Sequence, residues 1–205
     1  MTRNISYATP VLLFGTLFVG AAAVSSDVTP TERDRTLRYL AETRDNLKQV
    51  TKGLSDAQWK FKSAPDRWSI AEVVEHLAVA EDLLVTNVLG KLDQAPAVSA
   101  DHDPKQVDET ILTRTLDRTT KFQAPPPVQP TGRWSPQAAL EHFLASRAQT
   151  AQALKSATDL RAHVIANPVF GPLDGYEWIL AAAAHTERHT QQILEVKADP
   201  HFPTN

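Results

Sequence analysis

Helical periodicity dominates this chain and restricts it to an all-α fold. In four segments, apolar residues recur at intervals of three or four positions, which places them on one face of an α-helix. Prolines cluster between these segments rather than inside them. No segment shows the regular alternation of apolar and polar residues that is typical of a half-buried β-strand. The pattern therefore predicts a four-helix bundle, an architecture in which inward-facing side chains of neighbouring helices build metal sites.

Capping signals predict where the four helices begin. Each helix is preceded by a Ser, Thr or Asp that can accept a hydrogen bond from the first helical turn. The first helix is predicted to have Thr31 as its N-cap, and in the second and fourth helices a glutamate three residues after the cap completes a capping box. The four predicted helices cover about residues 31–51, 69–90, 135–158 and 174–197.

The connections between these helices differ in length. Residues 55–67 are predicted to form a loop anchored by two aromatic side chains, Trp59 and Phe61. Residues 93–132 are the least regular stretch, with a short helical period only over residues 108–120. A long crossover between the second and third helices is therefore expected, wrapped over the bundle.

The N-terminal segment has the features of a secretory signal peptide. One basic residue, Arg3, precedes an uncharged apolar run over residues 11–24, which ends in small side chains. The run is shorter than the roughly 20 residues that span a bilayer. We expect residues 1–23 to be a signal peptide, 24–30 a short linker and 31–205 the bundle domain. An exported, periplasmic or secreted protein is expected, and an N-terminal membrane anchor is the alternative.

Composition limits the chemistry and the partners. The chain has no cysteine, which excludes disulfides and thiolate ligands, so a transition-metal site must use His, Asp or Glu. The formal net charge of −3 becomes −4 when cleavage removes Arg3. A mildly acidic chain without a basic run is a poor candidate for binding nucleic acid or anionic membranes. A small-molecule partner is expected, with no stable membrane insertion after cleavage, and a homodimer is left open.

Two histidines on the fourth predicted helix are the main candidates for chemistry. His185 and His189 are four residues apart, so they project from one helix face, on the apolar side. His76 lies at the edge of the apolar stripe of the second helix. Together they can bind one divalent ion, but spacing alone leaves open two buried histidines that are satisfied by backbone carbonyls or water. The intervening sequence is not the zinc-protease motif, since Thr186 stands where that motif has glutamate.

The other histidines and the polar neighbours are given lesser roles. His142 follows an Arg-Trp-Ser sequence at the same distance as His76 does, with an offset of 66 residues, yet direct ligation by His142 is not expected. Glu187 and Arg188 are interpreted as solvated or supporting residues. The remaining histidines are expected outside the site, in solvent-facing loops or without a partner: His102, His163 and His201.

Three sequence segments resemble the DinB-like superfamily of helical-bundle proteins: DRWSIAEVVEHL, FGPLDGYEW and AAHTERHTQQI. The resemblance extends over about residues 31–203, almost the whole predicted domain. It implies a bundle of up-down-down-up topology. It also implies a divalent metal ion, zinc or nickel, held by His76, His185 and His189.

The resemblance also implies classes of reaction. Characterised members include transferases and isomerases that bring bacillithiol or mycothiol to the metal, so thiol chemistry or a metal-activated water in a hydrolase is expected. Predicted export favours water, since low-molecular-weight thiols are mainly cytosolic. Glu72, one turn before His76, is the nearest candidate for a general base, although its capping role competes with that function. Two alternatives stay open: a non-catalytic metal- or ligand-binding bundle, and a bundle with purely structural histidines.

Overall fold

The protein is a four-helix bundle, as predicted, with two shorter helices beside it. A computed structural model describes residues 27–204. Among these residues, no helix is long and apolar enough to cross a membrane. The predicted signal peptide, residues 1–23, lies outside the described residues. The long helices are α1 (Pro30–Thr51), α3 (Ile70–Leu83), α5 (Pro136–Ser156) and α6 (Gly175–Lys197), and the shorter ones are α2 (Asp56–Lys60) and α4 (Pro104–Leu116).

Contacts between helix ends define the up-down-down-up topology. The start of α6 contacts the start of α1, where the Tyr176 and Thr36 hydroxyls are 2.8 Å apart. The ends of the same helices meet where Lys197 Nζ donates to the Val50 carbonyl at 2.8 Å. Helices α1 and α6 are therefore parallel. Helix α3 is antiparallel to α6, because His76 lies beside His185, whereas Glu81, later on α3, shares Arg147 with Ala182, earlier on α6. Helix α5 packs along α3 and is parallel to it, because Glu75 contacts the segment just before α5 and Glu81 contacts Thr150 within it.

The predicted caps are found at three of the four long helices. Ser69 and Asp174 each form a complete capping box, and Ser135 caps α5 with Pro136 at the first helical position. The prediction of Thr31 as the N-cap of α1 was wrong. Thr29 caps this helix, because Glu32 returns a hydrogen bond to its backbone and Pro30 occupies the first turn.

The crossover contains more structure than its sequence suggests. Helix α3 continues into a π-helical turn, Leu84–Val88, and a 3-10 helix, Leu89–Gln94. Helix α4 follows and packs along α6, and a second 3-10 helix, Pro126–Val128, packs on α3. Residues 55–67 also contain a short helix, α2, where a loop was predicted.

A β-hairpin precedes α6, where sequence periodicity indicates no strand. Strand β1 (Val164–Asn167) pairs antiparallel with β2 (Gly171–Asp174), with Val164 opposite Asp174. The Asn167 side chain accepts hydrogen bonds from the backbone of Val169 and Phe170, which closes the turn. Four-residue strands are too short to give a readable alternation, so local turn chemistry determines this element.

Apolar side chains fill the bundle, and a buried polar layer joins its four long helices. Arg147, only 2% exposed, contacts the Glu81 carboxylate at 2.8 and 2.9 Å. It also donates to Thr43 on α1 and Thr186 on α6, at 3.1 and 2.7 Å. This network places Thr186 and fixes the helix face that carries the neighbouring His185.

Candidate metal centre

Three imidazoles converge between α3 and α6. His76 is on α3, and His185 and His189 are one turn apart on α6. His185 Nε2 lies 3.1 Å from His76 Nε2 and 3.0 Å from His189 Nε2. Nitrogen atoms bound tetrahedrally at about 2.0–2.1 Å from a zinc ion lie about 3.3 Å apart, so the observed spacing is close to that of a ligand set.

Hydrogen bonds at the outer ring nitrogens orient two of these imidazoles. His76 Nδ1 lies 2.7 Å from the Val128 carbonyl oxygen, which can only accept, so Nδ1 carries the hydrogen. His189 Nδ1 donates to Gln192 Oε1 at 2.8 Å. A neutral imidazole has one N–H, so the Nε2 atoms of both rings present bare lone pairs to the centre. Such outer partners accompany metal-bound histidines in general.

A divalent cation would satisfy the converging lone pairs. His185 Nε2 can carry at most one hydrogen, which satisfies His76 or His189 but not both. A buried acceptor without a donor costs free energy on the order of 1–3 kcal/mol. A divalent ion accepts all three lone pairs at once. The donor set therefore fits a divalent transition-metal ion with an open coordination position, and imidazole ligands suit zinc and nickel alike.

Burial keeps the three imidazoles neutral. It lowers the pKa of His76, which is 3% exposed, and this effect exceeds the opposing hydrogen bond to Val128. The pKa values of His185 and His189 lie well below the usual range, mainly because both rings are buried. Repulsion of a protonated ring by a protonated neighbouring imidazole and by Arg188 lowers these pKa values further. Neutral imidazole is the form that binds metal, so the centre is in a ligand-competent state at neutral pH.

An aromatic wall and two arginines surround the centre. The Trp68 ring lies 4.9 Å from the His76 ring and stacks on His189 at 6.4 Å. Arg147 and Arg188 are close enough to disfavour a charged His185. Within residues 27–204, no carboxylate forms a hydrogen bond with these three rings. The three rings therefore have an aromatic wall on one side and no carboxylate hydrogen-bond partner among these residues.

Glu72, the candidate base, is held away from this chemistry. Its Oε2 accepts the Ser69 backbone N–H at 2.7 Å, and its Oε1 accepts from Lys62 Nζ at 2.7 Å. Burial would raise the pKa of Glu72, but the hydrogen bonds from Lys62 and Ser69 outweigh burial and lower it. A carboxylate that is doubly occupied and more acidic than usual is a poor proton acceptor.

The remaining histidines lie outside the three-histidine centre. His142 Nε2 contacts Asp82 Oδ2 at 2.5 Å, and its ring lies 4.4 Å from Trp134, as the ring of His76 lies against Trp68. His201 is exposed, as expected. The interpretation of His102 as solvent-facing was wrong, since it is half-buried and donates to Glu177 Oε1 at 2.7 Å. His163 does have a partner, the Ala95 carbonyl, at 2.7 Å.

Two polar neighbours of the histidines have roles that the sequence did not indicate. Glu187 accepts a hydrogen bond from Tyr39 on α1 at 2.5 Å, so it links two helices rather than supporting the centre. Arg188 is buried and donates to backbone carbonyls in the last turn of α4 and just after it. The sequence was interpreted as giving Glu187 and Arg188 solvated or supporting positions. The structure instead joins each of them to a segment that is distant in sequence.

A second cluster at the start of α6 also contains potential ligands, but an arginine occupies it. His102, Asp174 and Glu177 present ligand atoms within 4.8 Å of one another. Arg161, 5% exposed, contacts Asp174 Oδ2 at 2.8 Å and Asp108 Oδ2 at 3.0 Å. Its guanidinium supplies the positive charge that a metal ion would otherwise provide, so the cluster is an ion-pair network.

This network predicts that stability falls as the pH rises above the acidic range. Burial and then the charge of Asp174 raise the pKa of Glu177 to about 7. A raised carboxyl pKa means that the folded state binds the proton more tightly, so this contribution to stability is complete below the unfolded pKa and is lost as the pH passes about 7. The loss is on the order of 2 kcal/mol.

We expect Glu177→Gln to flatten that pH dependence, because glutamine keeps the capping box and cannot ionise. Chemical denaturation at pH 5 and pH 8 measures the difference. Glu109→Gln serves as the control, because Glu109 is an exposed carboxylate on α4. Its stability should depend on pH as that of the wild type does. An equally large fall in stability between the two pH values in Glu177→Gln would contradict this account.

Fold and site together define a helical bundle with a buried three-histidine centre formed by two of its helices. A sequence profile of the DinB superfamily matches residues 39–193. The chain belongs to the DinB superfamily.

The chain is also similar to individual proteins, and the solved structures among them share its fold. The Bacillus subtilis (strain 168) protein YuaE, which is uncharacterized, is 28% identical over 148 residues, 71% of this chain and 87% of YuaE. The structure of YfiT from Bacillus subtilis, described as a probable metal-dependent hydrolase with an unusual four-helix bundle topology, matches with a TM-score of 0.57. It is 16% identical and covers 87% of this chain and 93% of YfiT. The four-helix bundle protein TT2238 matches with a TM-score of 0.50 at 18% identity, covering 80% and 98% of the two chains.

Proposed function

We propose that His76, His185 and His189 hold one divalent ion, zinc or nickel, and that the protein is a metal-dependent hydrolase or transferase acting on a small molecule. One observation carries the proposal. Two imidazoles whose Nδ1 hydrogens are committed to Val128 and Gln192 direct their bare Nε2 atoms at a third imidazole. That arrangement is costly without a cation and favourable with one. The description of YfiT as a probable metal-dependent hydrolase supports the same reading.

The chemistry follows from what surrounds the ion. When bound, a divalent ion acts as a Lewis acid that lowers the pKa of a coordinated water or thiol and polarises the substrate. Within residues 27–204, no carboxylate forms a hydrogen bond with the three rings, and Glu72 is occupied by Lys62 and Ser69, so no carboxylate in this part of the chain is placed as a base at the centre. An ion held by the three histidines would supply the activation of the nucleophile that no side chain at the centre is placed to supply. Trp68 forms an apolar wall beside two of the ligands.

The choice between water and thiol depends on the compartment. We propose export, on the basis of the N-terminal apolar segment, and water as the nucleophile. The alternative function is a non-catalytic metal- or ligand-binding bundle. The enzyme would convert a substrate at the fourth coordination position of the ion, whereas the binding bundle would not.

Metal-dependent turnover tests the proposal. Metal-free protein is reconstituted with zinc or with nickel and assayed against chromogenic esters, amides, lactones and phosphoesters, with and without an added thiol. We expect turnover in the reconstituted wild type and none in the metal-free protein or in reconstituted His185→Ala. A requirement for thiol would identify a transferase. Protein that binds one equivalent of metal without turnover in any assay would contradict the enzyme and favour the binding bundle.

A further inference from the structure

Glu75 and Arg188, the sequence neighbours of His76 and His189, both hold one segment, the crossover strap, defined as residues 117–133. The Glu75 carboxylate, 4% exposed, accepts the backbone N–H groups of Thr131 at 2.8 Å and Gly132 at 2.9 Å. The same carboxylate also accepts from the backbone N–H of Arg133, at 3.3 Å.

The other end of the strap is held on α6. Arg188, 7% exposed, donates to the carbonyl oxygens of Asp117 and Thr120, each at 2.6 Å, and to that of Thr115, the last turn of α4, at 2.9 Å. Its guanidinium also lies over the Phe122 ring, 5.1 Å from the centroid. A buried arginine that satisfies the terminal carbonyls of a helix fixes the point where the strap leaves α4.

The strap therefore spans the two helices that carry the histidines. Between its two anchors, the 3-10 helix Pro126–Val128 packs on α3 and directs the Val128 carbonyl to His76 Nδ1 at 2.7 Å. Consecutive prolines before Val128 restrict the backbone, so this carbonyl has little freedom once residues 131–133 are fixed. The contact determines which nitrogen of His76 bears the hydrogen.

We propose that Glu75 is a positioning residue of the metal centre, acting on His76 through the crossover strap. The inference rests on the proposed ligand role of His76. Glu75 immediately precedes His76 on α3, so the two side chains project about 100° apart around the helix. Glu75 therefore does not act on the His76 ring directly. Its carboxylate gathers three backbone N–H groups, these fix the strap, and the Val128 carbonyl holds the His76 ring with Nε2 facing the centre.

Glu75→Gln in the full chain tests this arrangement, because an amide NH₂ group then faces N–H donors that require an acceptor. In metal-free protein, the ¹⁵N spectrum of the imidazoles should show His76 with its hydrogen on Nδ1 in the wild type and a mixture of tautomers in the variant. Zinc affinity, measured by competition with a chromogenic chelator, should weaken about 10–100-fold, as is typical when an outer partner of a ligand is lost.

Two further variants keep the test specific. Glu72→Gln, one turn earlier on α3, retains its capping role as glutamine and should leave the His76 tautomer and zinc affinity unchanged. Thr131→Pro removes one N–H from the exposed strap and should act in the same direction as Glu75→Gln. Because Thr131 lies outside α3, the same change in both variants would be due to the displaced strap and not to a folding defect in α3.

The possible outcomes separate this inference from the proposed function. A single Nδ1–H tautomer of His76 in Glu75→Gln and in Thr131→Pro, with zinc affinity within twofold of the wild type, would overturn the positioning role. A wild type that binds no zinc would contradict the proposed function, while the tautomer readout, which needs no metal, would still decide whether Glu75 positions His76.

Discussion

His185→Ala is expected to abolish stoichiometric metal binding and, with it, any rise in melting temperature on addition of zinc. His185 is the central imidazole, with its Nε2 within 3.1 Å of both other Nε2 atoms, so its removal leaves only two of the three ligands. An ion present at 100 times its dissociation constant stabilises a folded protein by about 2.7 kcal/mol. For a domain of this size, that corresponds to about 5–10 °C. Calorimetry of wild type and variant, with and without zinc, measures the effect.

His142→Ala is the matched control for this prediction. Like His76, His142 lies against a tryptophan and follows the start of a Ser-capped helix. It contacts Asp82, however, and not the three-histidine centre. The zinc-dependent shift should therefore be preserved in His142→Ala. A shift of equal size in His185→Ala would show that the ion binds elsewhere and that the ligand assignment is wrong.

Arg147→Met is expected to have the largest effect on stability, because it leaves the Glu81 carboxylate buried without its cation. Glu81 is 3% exposed and receives two hydrogen bonds from Arg147, which also donates to groups on α1 and α6. Removal of one partner from a buried pair costs about 3–5 kcal/mol. Denaturant unfolding of the metal-free protein measures the loss without a contribution from the ion.

The double variant Glu81→Leu/Arg147→Met tests the physical reason. With both charges removed, most of the lost stability should return, because the cost arises from an unpaired buried charge rather than from the missing contact. Arg118→Met serves as a surface control, since its partner Glu195 is 58% exposed, and should cost less than about 1 kcal/mol. A double variant that is less stable than Arg147→Met would contradict this explanation.

Local signals in the sequence were sufficient to predict the bundle. Helical periodicity gave four long helices, and Ser69, Ser135 and Asp174 were found as the predicted caps because capping depends on residues only three positions apart. The up-down-down-up order came from the resemblance to the DinB-like superfamily and is confirmed by the contacts that set the directions of the four helices. The spacing of His185 and His189 placed both on one face of α6, and the structure brings His76 to them.

Contacts between residues far apart in sequence were not predictable in the same way. Arg147 and Glu81 look like ordinary surface residues, since nothing local indicates that α3, α5 and α6 bury them together. The roles of Glu75 and Arg188 depend on where an irregular, proline-rich crossover lies, which periodicity does not describe. His102 was misjudged for the same reason, because the buried Glu177 that it contacts is 75 residues away.

The most direct test of the central claim is the metal content of the protein beside that of a His76/His185/His189 triple-alanine variant. Both proteins are purified, incubated with zinc and nickel, freed of unbound ions and analysed by elemental mass spectrometry. One equivalent of metal in the wild type and none in the variant is the expected result, because the proposed ion binds to the three converging Nε2 atoms. No metal in either protein, or one equivalent in both, would contradict the assignment of these three histidines as the metal centre.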